Sequence, residues 1–159
     1  MLKKNSEIEK LLSLLKEKHK LLNEILEITN LQTKIIKEQK YDRLNNLINS
    51  KQLRIDKINS IDSRFNKAFE NIRQEYNIEE IYELDVGNEN LIKFKKLTED
   101  MYNIMTQIHQ VEKKNNEIIQ KDYELVKAKL KQIKKGKQVT SNYYRIPVQI
   151  EGYFIDKKK

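Results

Sequence analysis

The sequence predicts an all-α protein: an elongated antiparallel helical hairpin, built up to a three-helix, coiled-coil-like bundle, with a flexible or extended C-terminal tail. Three observations carry this. Apolar residues recur every three or four positions through three long segments, the spacing of one helical face. Helix breakers are scarce: the 159 residues hold 3 Gly and 1 Pro, and none of them precedes Gly87. Charged residues, at 35%, nearly match hydrophobic ones, at 38%, as in thin bundles whose helices keep one face in water.

The first helix is expected over about 5–37. Ser6 and Glu9 have the spacing of a capping box, in which the hydroxyl accepts from a backbone amide and the carboxylate reaches back. Its apolar stripe runs from Ile8 through Leu11, Leu15, Leu22 and Ile25 to Ile36, with His19, Thr29 and Thr33 on the same face. A break over 38–41 leads to a second helix over about 42–76, with Asp42 as its cap and a stripe from Leu44 and Ile48 to Phe69 and Ile72. Lys51 and Asp62 fall on that stripe, and polar residues on a seam fix register at some cost in stability. The two helices form an antiparallel hairpin about 50 Å long. Asn77 and Glu80 repeat the capping spacing, so a short helix over 78–84 is expected, followed by a turn at Asp85-Val86-Gly87-Asn88. The third helix is expected over about 90–135, with Gly136 as its stop and lysines at the negative end of its macrodipole. Residues 1–135 then make one helical domain and 136–159 a tail, in which Pro147 disfavours helix.

At about 65 Å the third helix is longer than the hairpin that supports it. Leu91 to Val111 read as core. Farther on, Leu125, Val126, Leu130 and Ile133 are expected to outrun the hairpin and expose an apolar stripe, as protein-binding helices do. The candidate binding surface is therefore Asn115, Ile118, Ile119, Leu125, Val126, Leu130 and Ile133, with Tyr143, Tyr144, Tyr153 and Phe154 of the tail folding over a bound partner.

Charge singles out the same end. Residues 1–126 carry 22 basic and 22 acidic side chains; residues 127–159 carry 10 basic and 2 acidic, so the whole net charge of +8 belongs there. Lys127 to Lys137 includes six lysines and no acid. A nucleic-acid or anionic-lipid patch is one reading, and the tail aromatics suit base stacking. The excess is confined to the end, however, and no nucleic-acid module is present, so a solvated helix end that steers an acidic partner is preferred. Neither catalysis nor a cofactor is expected: there is no Cys, no Gly-rich nucleotide loop and no nucleophile elbow. No metal is expected either. His19 and His109 are the only histidines, and His109 with Glu112 reverses the Glu-x-x-His order of di-iron bundles without a second copy. The carboxylate pairs Glu79/Glu80 and Glu99/Asp100 point apart on a helix and read as surface. No run approaches the roughly 18 apolar residues of a membrane span, and the N-terminus is no signal peptide, so a cytoplasmic location is expected.

Several stretches resemble a known family. The run Leu11-Leu12-Ser13-Leu14-Leu15-Lys16-Glu17-Lys18-His19-Lys20-Leu21-Leu22 is similar to the opening helix of the FlgN family of flagellar export chaperones. Gln32 and Lys51-Gln52-Leu53-Arg54-Ile55-Asp56-Lys57-Ile58 resemble its first and second helices, and Lys113-Lys114-Asn115-Asn116-Glu117-Ile118-Ile119 its third. The ending Gly152-Tyr153-Phe154-Ile155-Asp156-Lys157-Lys158-Lys159 resembles the tail of members of low-GC Gram-positive type. The resemblance implies a cytoplasmic helical chaperone without enzymatic activity. It implies binding of the hook-associated proteins FlgK and FlgL before secretion through the C-terminal region, and delivery to the flagellar export apparatus. From the residues, monomer and homodimer both stay open. The rival reading from the residues is a structural coiled-coil protein that associates with itself through the same stripe.

Overall fold

A computed structural model of the chain describes residues 2–137. It is all-α: helix α1 (Leu2–Lys37), α2 (Leu44–Tyr76) and α3 (Asn88–Lys137), with single 3-10 turns at Tyr41–Arg43 and Ile81–Glu83 and no strand among the described residues. The chain runs up α1, down α2 and up α3, so α3 lies parallel to α1. The helices are about 54, 50 and 75 Å long.

Helix α1 is the centre of the bundle, packing against both α2 and α3, which approach each other less closely. Its sequence explains why. Apolar doublets at Leu11/Leu12, Leu14/Leu15, Leu21/Leu22 and Ile35/Ile36 are buried on it. Two consecutive helical residues point about 100° apart, so each doublet serves two neighbours. In α3 the buried apolar positions come singly, at Phe94, Met101, Ile104, Ile108 and Ile119, as suits a helix covered along one stripe.

The helix ends depart from the sequence signals. Helix α1 starts at Leu2, so Ser6 and Glu9 lie inside it and form no capping box. The extra turn is held from across the hairpin, because Lys3 pairs with Glu75 and the Lys4 ammonium sits 5.0 Å from the Tyr76 ring centroid. At the hairpin turn Gln39 has φ 58°, and the Lys40 and Gln39 amides donate to the Ile35 and Ile36 carbonyls, both at 3.0 Å. That is a Schellman closure with Gln where Gly is usual. Asp42 is no cap: it falls in the 3-10 turn, and Arg43 precedes α2 without a side-chain cap bond. Nor does Asn77 open a short helix over 78–84. With φ 52° it closes α2, and the Ile78 amide donates to the Arg73 carbonyl at 3.2 Å; asparagine tolerates this left-handed backbone where most residues do not. The connector instead buries Ile78, Ile81, Leu84 and Val86 as a plug under the bundle. There Phe65 packs 6.2 Å from Phe94, and Tyr82 meets Phe94 edge-on at 6.5 Å. Gly87, with φ 82°, makes the left-handed turn into α3. Helix α3 runs through Gly136, which is therefore not a stop.

Candidate functional site

The core is divided. A long apolar cluster reaches from Ile8 and the connector up to Ile25 and Ile108. A smaller one, of Ile35, Ile36, Leu44, Ile48 and Ile119, sits beneath the hairpin turn. Between them lies a polar layer that gathers the buried polar residues Thr29, Gln32, Lys51, Glu112 and Asn115. Lys51 of α2 pairs with Glu112 of α3 at 2.9 Å and donates to the Gln32 Oε1 of α1 at 3.1 Å. Asn115 of α3 accepts from the Thr33 hydroxyl at 2.6 Å and donates to the Thr29 carbonyl at 3.3 Å. Each helix thus contributes to one level of hydrogen bonds, which can be satisfied only when the three stand in one register.

Above the small cluster the support ends. Tyr41, in the turn after α1, donates its phenol proton to the Asp122 carboxylate of α3. Burial, and then this bond, push the Tyr41 pKa well above its ordinary value. Beyond Asp122, α3 continues past α1 and α2 for residues 123–137, about 20 Å. Its apolar stripe does not stop with its cover. Leu125 is 62% exposed, Val126 45% and Ile133 46%; Leu130 is partly covered, and Lys127, Lys129, Lys131, Lys134 and Lys135 are exposed around them. The overhang is thus an unsupported amphipathic helix with a basic surround.

The residues expected to form a binding surface divide on this boundary. Asn115 is fully buried in the polar layer and Ile119 is buried in the small cluster; Ile118 is half-buried against that cluster. The expectation that these three line an open face is corrected by their position opposite α1 and the hairpin turn, level with Thr29 and Ile36. Leu125, Val126 and Ile133 lie on the uncovered stretch, with Leu130 between them. Tyr143, Tyr144, Tyr153 and Phe154 lie outside the described residues. Tyr41 and Asp122, which set where the overhang begins, carry no sequence signal beyond Asp122 falling in phase with the stripe. Met105, in the middle of α3, is half exposed and not core.

His19 is half-buried, and His109, Glu79, Glu80 and Glu99 are exposed. Glu79 pairs with Arg73 at 2.9 Å. Among the described residues no three His, Asp or Glu side chains are placed to hold a metal ion, and no helix is long and apolar enough to cross a membrane.

No curated protein and no solved structure shows a significant match to the chain. The family profile described as FlgN protein does match, over residues 1–146, which takes in all three helices and the overhang. A three-helix bundle that ends in a bare amphipathic helix thus meets a family match across nearly its whole length, and the chain belongs to the FlgN family of flagellar export chaperones.

Proposed function

We propose that the overhang of α3 holds the hook-associated proteins FlgK and FlgL before secretion, keeps them from assembling early and presents them to the export apparatus. The observation that carries this is the continuation of the α3 stripe past Asp122, where no other helix among the described residues covers it. A client segment that is amphipathic and unfolded before assembly can lay its apolar face on Val126, Leu130 and Ile133 and fold as it binds. Leu125 lies beside that stripe. Tyr143, Tyr144, Tyr153 and Phe154 belong to the same surface in this reading, closing over the client.

The test is Val126→Asp with Ile133→Asp in the full chain. Both residues stand outside the bundle, so thermal unfolding stays unchanged while capture of purified FlgK or FlgL drops by more than about tenfold. Undiminished capture by this variant sinks the proposal.

A further inference from the structure

We infer that the uncovered seam of α3 selects an acidic amphipathic helix and refuses a second copy of itself. The inference rests on the client-binding reading above and adds the chemistry of the bound segment. From Ile119 the seam advances in alternating steps of four and three, through Tyr123, Val126, Leu130 and Ile133. That is the a/d rhythm of a two-helix coiled coil. With Tyr123 and Leu130 at a, and Val126 and Ile133 at d, Lys127 and Lys134 occupy e and Lys129 occupies g; the g residue one heptad earlier, Asp122, is engaged by the Tyr41 phenol. The e and g positions border the seam, where a paired helix sets its own e and g side chains against them. All three are exposed lysines, on a stretch where neither α1 nor α2 lies alongside.

Past Asp122, whose carboxylate is taken by Tyr41, a second copy meets lysine with lysine in either orientation. In a parallel pair g faces e of the other helix; in an antiparallel pair e faces e and g faces g. Either arrangement brings like charges together at the edge of a desolvated strip, which opposes association. A helix with Glu or Asp at e and g turns every one of these encounters into an attraction. The apolar seam then supplies most of the affinity, while the lysines decide which helix occupies it and hasten its arrival. A strip that is sticky in composition is thereby kept open.

Two labelled three-heptad peptides test this against the full chain. Both carry Leu at a and d; one has Glu at every e and g, the other Lys. Fluorescence anisotropy should show the Glu peptide binding about tenfold tighter or more at low salt, with the gap closing as salt rises to about 0.5 M. The triple variant Lys127→Glu, Lys129→Glu, Lys134→Glu should reverse the order of the two peptides. Sedimentation of the chain alone should give a monomer. Equal affinities, an order that the triple variant leaves in place, or binding of neither peptide overturns the inference. So does a dimer that Val126→Asp with Ile133→Asp dissolves. None of these results touches client capture itself, which falls only if that double variant still takes up FlgK undiminished.

Discussion

Helix α3 contains two stretches written in the same pattern and put to opposite uses. From Leu91 to Ile119 its apolar stripe is pressed against α1 and α2, and Phe94, Met101, Ile104, Ile108 and Ile119 are buried. From Leu125 to Ile133 a stripe of the same spacing faces solvent. The residue types barely differ. What differs is the neighbour: the hairpin turns back at Glu38 to Lys40, and α3 does not. Periodicity therefore fixes where a helix is apolar, while the lengths of the other helices decide whether that face becomes core or surface.

Substitutions in the two stretches should separate them sharply. The largest effect belongs to the polar layer. Lys51→Met leaves Glu112 buried without its 2.9 Å partner and should lower unfolding stability by about 3–5 kcal/mol in urea titrations. Adding Glu112→Leu should restore most of that, since a buried ion pair is replaced by apolar contact. A single variant as stable as the parent shows that the layer is open to water. Next comes the direct contrast along α3. Ile108→Ala, in the main core, should cost about 2–4 kcal/mol, whereas Ile133→Ala should shift stability by less than about 0.5 kcal/mol. Comparable losses at both sites mean that something covers the overhang.

The smallest effect sharpens the border itself. Tyr41→Phe removes the phenol that donates to Asp122 and should cost about 1 kcal/mol near neutral pH. Its pH dependence has a definite sign. Burial first, then the bond to Asp122, raise the Tyr41 pKa in the folded chain, so the folded state keeps the proton at a pH where the unfolded state has begun to lose it. The contribution is full below the unfolded value of about 10 and is lost as pH rises toward the folded one. Urea titrations at about pH 8 and about pH 11 should show the difference between parent and variant shrinking. A constant difference excludes the phenol proton as its source.

Much of this was legible in the residues. The three-four spacing located all three helices, and Lys51, Thr29 and Thr33 could be seen to fall on inward stripes. The partners of these polar residues could not. That Lys51 stands level with Glu112, and Asn115 with Thr29 and Thr33, depends on the register between helices 60 or more positions apart in sequence, set by the hairpin turn and the plug of Ile78, Ile81, Leu84 and Val86. By sequence Asn115 therefore falls with the candidate binding surface, whereas in the fold it is the most enclosed residue of its stretch. The helix ends were obscured for a related reason. Ser6, Asp42 and Asn77 are good caps by type, but Lys3 and Lys4 find partners on α2 that extend α1, and Asn77 is more useful in the left-handed position that ends α2.

The overhang is also a continuation, without interruption, of a helix already formed below it. An isolated peptide as short as residues 123–137 spends most of its time as coil in water, because the first turn fixes several dihedral angles for a single hydrogen bond. Here that initiating step is taken inside the bundle, and each further residue only propagates it. An incoming segment therefore meets a template whose ordering entropy was lost when the bundle folded. Only the visitor has to become a helix, so the entropy lost in forming the complex falls on one chain instead of two.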